Sequence, residues 1–235
     1  MAHVQYEEWF GLVLRVIKRY GSTPLPRILE LGGGTGVLAR MLSQEGFRCQ
    51  SSDLSFDMCR VARSRRLDSV VCANGLALPF KPTFEMVLFL YDGINYLMTQ
   101  QEFSGLFEEV DSVLQPGGLF LFDVTTAANS LRYFSDYADY EDLGDYYYSR
   151  HSYFESDARI QHNYFTIFRQ EPREPTLFRK FTEHHMQRVF APEMLRRFIP
   201  SERFELIGIW DNFSFRRYTS GSERIHFLLR KKKEP

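Results

Sequence analysis

An α/β fold with a mostly parallel sheet is what this sequence predicts, on three observations. Short apolar runs of strand length alternate with amphipathic helical runs through residues 28–124. A glycine-rich turn, Gly32-Gly33-Gly34-Thr35-Gly36, joins the first of those strands to the helix that follows it. After Asp123 the alternation stops, a long stretch crowded with aromatic residues intervenes, and helix and strand then resume.

The elements follow in order. Trp9, Phe10, Leu12, Val13, Val16 and Ile17 recur at helical spacing, which predicts an amphipathic helix over 6–20, stopped by Gly21, Ser22, Pro24 and Pro26. The first strand reads over 28–31, and Val37, Leu38, Met41 and Leu42 make the apolar face of the next helix, closed by Gly46. A second strand over 48–52, a helix over 56–65, a third strand over 69–72 and a strongly apolar fourth over 84–90 continue the pattern. Thr99 and Glu102 have capping-box spacing and open a helix that runs to about Leu114. Pro116-Gly117-Gly118 then turns the chain into a fifth strand over 119–124. Right-handed crossovers place helices on both faces of such a sheet. Residues 162–168 and 178–189 alternate like strands around the turn Pro172-Arg173-Glu174-Pro175, which predicts an antiparallel β insertion. Pro192 suits the first turn of a helix, and strands over 204–210 and 224–230 end the pattern. The expected division is a core of residues 1–124 and 191–235 with an insertion of 125–190.

Bulk properties narrow the function classes. The formal charge of −1 provides no global field for nucleic acid or an anionic membrane. The basic run Arg230-Lys231-Lys232-Lys233 reads as a solvated tail. Cys49, Cys59 and Cys72 are odd in number and form no CxxC pair, which argues against a disulfide framework or zinc site and suits a reducing cytoplasm. No apolar run reaches the roughly 20 residues of a membrane span, and no secretion signal opens the sequence. A cytoplasmic protein without a metal site is the expectation.

A glycine turn between strand and helix allows positive φ and close approach of the backbone to a ligand, beside the free N–H groups of a helix start. Two cofactor classes compete for it. Gly34-Thr35-Gly36-Val37-Leu38-Ala39 fits the GxGxxA form of a dinucleotide site, whereas Glu30, Gly32, Gly34 and Gly36 fit ExGxGxG. Asp53, after the second strand, suits a ribose diol in both cases.

The downstream motifs separate the two. Asp53-Leu54-Ser55-Phe56-Asp57-Met58, Ala73-Asn74-Gly75-Leu76-Ala77-Leu78-Pro79-Phe80, Leu90-Tyr91-Asp92-Gly93-Ile94-Asn95-Tyr96-Leu97 and Leu114-Gln115-Pro116-Gly117-Gly118 follow the glycine turn in sequence. Together these five runs resemble the class I S-adenosylmethionine-dependent methyltransferases. That resemblance implies a Rossmann-like core of seven strands with an antiparallel lid after strand five, and S-adenosylmethionine as cofactor with S-adenosylhomocysteine as product. It implies a cofactor site of Glu30, Gly32, Gly33, Gly34 and Gly36 at the turn. Asp53 would bind the ribose, with Leu54, Met58, Asn74, Gly75 and Leu76 around the adenine and Leu90, Tyr91 and Asp92 after strand four. Asn74 departs from the family's usual acid and accepts without charge assistance; an Asn that only holds the turn is the other reading. Family members usually begin with a tyrosine-bearing flap over the cofactor, and here it is expected to be short or missing before Tyr6 and Trp9.

The second half is similar to an uncharacterised group of bacterial methyltransferases in Glu183-His184-His185-Met186-Gln187-Arg188, Trp210-Asp211-Asn212 and Ser222-Glu223-Arg224-Ile225. The lid arrangement also resembles glycine, sarcosine and sugar N-methyltransferases. The expected activity is methyl transfer to an N or O nucleophile of a small molecule. RNA or protein methylation, or a regulatory protein that binds the cofactor without turnover, are the alternatives. Asp92, His184, His185 and Tyr148 are the candidate catalytic groups, beside Glu183 and His151. Adjacent strand residues point to opposite faces, so only one of His184 and His185 can face the site. The run Tyr146-Tyr147-Tyr148 suits a lid core, a homodimer contact or substrate stacking. Arg188 is expected to pair with Glu183 or Asp211, or with a substrate anion.

Overall fold

The computed structural model describes residues 5–233; residues 1–4 and 234–235, the ends of the expected core, lie outside the described residues. The first helix, α1 (Tyr6–Tyr20), buries Trp9, Leu12, Val13, Val16 and Ile17 along one face, the stripe that the sequence periodicity predicts. Then come β1 (Arg27–Leu31), α2 (Val37–Gln44), β2 (Arg48–Asp53), α3 (Phe56–Ser64), β3 (Val70–Cys72) and β4 (Phe84–Phe89). A short 3-10 helix (Gly93–Tyr96) leads to α4 (Gln100–Val113), whose capping box of Thr99 and Glu102 is formed in both directions. β5 (Leu114–Thr125) begins directly at the end of α4, earlier than expected, because Leu114 already pairs with Phe84 before the Pro116-Gly117-Gly118 turn shifts the register.

The main sheet has seven strands in the order β10-β11-β5-β4-β1-β2-β3, where β10 is Phe204–Asp211 and β11 is Arg224–Lys231. β1 to β5 pair in parallel, and β11 is inserted antiparallel between β5 and β10. Alternate residues of the central strands feed two cores. Met86, Leu88, Leu119 and Leu121 pack on one side with Trp9, Leu12 and Val16, and Val87, Phe120 and Phe122 pack on the other with Phe103, Phe107 and Val110. Burial on both faces explains why these strands read as continuous apolar runs.

The insertion holds more structure than the sequence indicates. After α5 (Ala127–Tyr133) come β6 (Asp136–Asp142), β7 (Tyr146–Glu155), β8 (Ile160–Glu171) and β9 (Glu174–Arg188), a separate antiparallel sheet in that order. β6 and the start of β7 are mostly exposed and carry no clean apolar alternation, so two of the four strands leave no periodic signal. The helix α6 (Pro192–Phe198) starts at the expected proline. The basic run corrects the expectation of a solvated tail in its first half: Arg230 and Lys231 belong to β11, and Lys231 Nζ donates to the Leu114 carbonyl at 3.1 Å and lies 3.2 Å from Asp111 Oδ1, whereas Lys232 and Lys233 follow the strand and are exposed. No helix among the described residues is long and apolar enough to cross a membrane.

Candidate functional site

The carboxyl ends of β1, β2, β4 and β5 converge at one edge of the main sheet, the position where open parallel sheets bind ligands. Gly32, Gly34 and Gly36 have φ of 61°, 56° and 71°, the left-handed region that favours glycine. The glycines serve different ends. A Cβ on Gly33 would lie 2.1 Å from Ser51 Oγ and 2.4 Å from Glu30 Oε2, and one on Gly36 would lie 2.5 Å from Leu67, so both are packing requirements. A Cβ on Gly34 would meet nothing within 4 Å, so there the bare backbone faces open space. Beneath the turn, buried Glu30 accepts from Ser51 Oγ at 2.9 Å, and burial pushes its carboxyl up to about 7.

Asp53 ties this turn to the next element. Its Oδ2 accepts from the Gly34 N–H at 2.8 Å and its Oδ1 from the Ser55 N–H at 2.8 Å. A carboxylate has about four acceptor positions, so both oxygens keep capacity for hydroxyl donors. Leu54 and Phe56 beside it are 72% and 71% exposed, an apolar rim without a protein partner over most of its area. Met58 lies in the first turn of α3, where its N–H bonds the Ser55 cap. Asn74 holds a turn: its Oδ1 accepts from the Leu76 N–H at 2.9 Å and its carbonyl from the Ala77 N–H at 2.9 Å. Gly75 faces open space and Leu76 is half-buried.

The loop after β4 carries the densest charge. Leu90 is buried, and Tyr91 and Asp92 have φ of 71° and 49°, two successive non-glycine residues in the left-handed region. Each such residue costs on the order of 1–3 kcal/mol and needs its surroundings to hold it. Here the hold is electrostatic. Arg224 Nη1 donates to Asp92 Oδ1 at 2.8 Å and also to Asp123 Oδ2, and Asp123 Oδ2 accepts the Asp92 N–H at 3.0 Å. Burial pushes the Asp123 carboxyl up to about 6 against the opposing pull of Arg224, and its other oxygen has no hydrogen-bond partner among the described residues. The Arg224 guanidinium, where desolvation is outweighed by the two carboxylates so that its pKa is raised, lies 5.0 Å from the Trp9 ring centroid and 5.7 Å from that of Tyr91. Trp9 and Tyr6 of α1 pack on the Tyr91 ring at 4.9 and 5.9 Å. His226, buried beside Trp9, is lowered to about 3 by desolvation and then by Arg224, and so is neutral.

One face of the four-stranded sheet meets this loop. Gln187 Nε2 donates to Asp92 Oδ2 at 3.0 Å. Two residues back along β9, His185 Nδ1 is 3.0 Å from the Tyr96 hydroxyl, and its Nε2 is 3.0 Å from Glu183 Oε2. Strand register adds Asn163, Phe165, Arg150 and Ser152 to that face. Tyr148 shares it and donates to Asp139 Oδ2 at 3.3 Å. His184 points the other way: it stacks on Tyr164 at 4.1 Å and bonds His162, so of the two adjacent histidines only His185 meets the loop. His151 also lies on the outer face, 3.2 Å from Asp136. Arg188 corrects its expectation: it donates to the Met98 carbonyl at 2.8 Å and pairs with neither Glu183 nor Asp211.

Sequence reading missed Asp123, Tyr96, Arg150 and Arg224 as site residues. Tyr96 and Arg224 lie inside runs that the family resemblance had already marked, whereas Asp123 and Arg150 sit in strands whose side-chain partners come from distant sequence. The expected cofactor fits the residues present. Gly34 leaves room for close approach, Asp53 has spare acceptor capacity, the apolar rim of Leu54 suits a flat base, and two carboxylates (Asp92 and, on β5, Asp123) against one guanidinium suit a sulfonium better than a pyrophosphate.

Comparison with known proteins agrees. The family model described as a methyltransferase domain matches residues 28–118. "Putative methyltransferase YqeM" of Bacillus subtilis is 28% identical over 240 residues, covering 99% of this chain and 93% of that protein. A crystal structure of an S-adenosylmethionine-dependent methyltransferase from Clostridium acetobutylicum has a TM-score of 0.83 at 21% identity, over 99% of this chain and 94% of that one. The sugar N-methyltransferase KedS8 from Streptoalloteichus has a TM-score of 0.78 at 16% identity, over 97% and 89%. At these identities the two structures show the shared fold.

Proposed function

We propose that this chain, a class I methyltransferase that uses S-adenosylmethionine, methylates an N or O nucleophile of a small molecule held beneath its four-stranded sheet. The observation that carries this reading is the contact between lid and core: Gln187 on Asp92 and His185 on Tyr96 bring one face of the lid over the carboxyl ends of the parallel strands. A lid face set over the strand ends in this way suits a small acceptor, and the sugar N-methyltransferase KedS8 shares the fold over nearly its whole length.

The cofactor supplies a methyl group on a positively charged sulfur, already activated for displacement. In this reading Asp53 takes the ribose hydroxyls, Leu54 and Met58 border the adenine, Asn74 and Leu76 shape the same wall, and the glycine turn from Glu30 to Gly36 receives the amino-acid end. Asp92 and Asp123, held by Arg224, favour the positive sulfur. The protein then has to hold the nucleophile in line and exclude water, and the lid face serves both needs. A nucleophile that carries a proton gives it up through the Tyr96 hydroxyl to His185 Nδ1, while Glu183 balances the imidazolium that forms. Burial first, and then the Asp92 charge, push the Tyr96 phenol up to about 12, so it relays a proton without resting as a phenolate.

The test is incubation with methyl-labelled S-adenosylmethionine and a cell extract, then separation into small-molecule, protein and RNA fractions. Label in the small-molecule fraction is the expected result. Label confined to protein or RNA overturns the small-molecule reading.

A further inference from the structure

We propose that Arg150 anchors an anionic group of the methyl acceptor, so that the acceptor is a small organic acid; this rests on the small-molecule reading above. Arg150 lies on β7, on the lid face shared with Glu183, His185 and Gln187. Its guanidinium is fixed from behind. Nε donates to Ser152 Oγ at 2.8 Å and Nη2 to Asn163 Oδ1 at 2.6 Å, and Ser152 and Asn163 are both buried and bonded to each other at 2.8 Å. The rings of Phe134, Phe165 and Tyr137 surround it, with centroids 4.8, 5.5 and 5.7 Å from Cζ.

What this arginine lacks is a counter-charge. Among the described residues no carboxylate oxygen lies within 4 Å of it, whereas Arg224 on the core side has two. Asp139, opposite it on β6, instead accepts from Tyr148. Desolvation lowers the pKa of the guanidinium, and Tyr137, Asp139, Asp92, Tyr148 and Tyr96 are ionisable groups whose fields reach it. A half-buried guanidinium, held rigid with donors left over and walled by aromatic rings, is the arrangement that recognises a planar or tetrahedral anion. The fields of Asp139 and Asp92 offset only part of its desolvation cost, and a bound anion would offset the rest. Glu183 lies two strands away on the same face, at a strand spacing of about 4.8 Å each. Asn163, which holds the Arg150 guanidinium, pairs directly with His185 across the strands, so the anion anchor and the proton-accepting histidine share one face within reach of a single small acceptor.

Two measurements test this. In the label-transfer experiment the methylated product is identified by mass spectrometry; the expected product carries a carboxylate or phosphate group. Arg150→Met should lower transfer to it by at least about tenfold, in line with loss of a charge-assisted pair, and Arg150→Lys should keep part of it. Calorimetric binding of S-adenosylhomocysteine to each variant checks that the fold is intact. Independently, the complex with S-adenosylhomocysteine is titrated with benzoate, benzamide and inorganic phosphate. Saturable binding of benzoate or phosphate, absent for benzamide and lost in Arg150→Met, is the supporting result, and which anion binds says which acid class is used. A product with no acidic group, wild-type transfer by Arg150→Met, or anion binding that ignores the substitution overturns the proposal. An extract that yields no labelled small molecule at all counts against the parent reading instead.

Discussion

Gln187 and Asp92, 95 residues apart in sequence, are joined by a hydrogen bond of 3.0 Å that fastens the last lid strand to the loop after β4. The same Asp92 carboxylate is held from the core by Arg224 at 2.8 Å. One side chain is therefore shared by the two sheets, and its backbone sits in a conformation that only such shared restraint maintains.

Gln187→Leu cuts the lid side of this link and leaves the Arg224 side in place. A single hydrogen bond is worth about 1 kcal/mol net, but misplacement of a reacting group by about 1 Å can cost on the order of a hundredfold in rate. The expected outcome is methyl transfer reduced by about tenfold or more, with affinity for S-adenosylhomocysteine changed by less than about threefold. Single-turnover transfer and calorimetry measure the two. Equal losses in both would mean that Gln187 holds the cofactor and not the lid.

Asp53→Ala removes the acceptor of the Gly34 and Ser55 N–H groups together with the expected ribose contact. Leaving such polar partners unpaired costs about 1–3 kcal/mol, so affinity for S-adenosylhomocysteine should fall by roughly 5- to 150-fold. Isothermal titration reads this directly. Unchanged affinity would show that the carboxylate only shapes the loop and touches no ribose.

Glu30 carries a pH signature. Its carboxyl lies at about 7 in the folded chain against an ordinary 4.5, mainly through burial. A folded value above the unfolded one means that the folded state holds a proton that the unfolded state has lost. Stability is then fully present below about pH 4.5 and declines as pH rises through 7. Asp123, pushed up to about 6, acts in the same direction over a lower range. Glu30→Gln keeps an acceptor for Ser51 and cannot ionise, so it should gain on the wild type by about 2–3 kcal/mol between pH 5 and 8. Urea unfolding at both pH values checks it, and parallel profiles for the two proteins would refute the assignment.

The parallel core was legible because its strands are buried on both faces and its turns carry strong punctuation at Gly32 to Gly36, Gly46 and Pro116 to Gly118. The capping box of Thr99 and Glu102 was legible for the same local reason. The first half of the lid was not. β6 and the start of β7 present tyrosines and carboxylates to both sides, so alternation does not mark them, and their order comes from pairing with β8. The site divides likewise. The glycine turn and Asp53 belong to contiguous motifs, but the link of Asp92 to Arg224 spans 132 residues and that of Tyr96 to His185 spans 89. No local pattern encodes such pairings, because tertiary packing alone sets them.

Tyr96, His185 and Glu183 make the last prediction. The bond from the Tyr96 hydroxyl fixes His185 Nδ1 as the acceptor, which leaves its Nε2 proton for Glu183. Removal of a general base costs about 10²- to 10⁴-fold when the nucleophile must lose a proton. His185→Ala should therefore lower methyl transfer by about a hundredfold or more, with S-adenosylhomocysteine affinity held within about threefold, and added imidazole should restore part of the rate by filling the vacated space. Tyr96→Phe should lose rate without rescue, since imidazole replaces the base and not the relay. Glu183→Gln should fall between, since it keeps a hydrogen-bond acceptor for the histidine and loses the charge that stabilises its imidazolium. A wild-type rate in His185→Ala would mean that the nucleophile arrives with its lone pair already free, and the three residues would then be a structural clasp between lid and core.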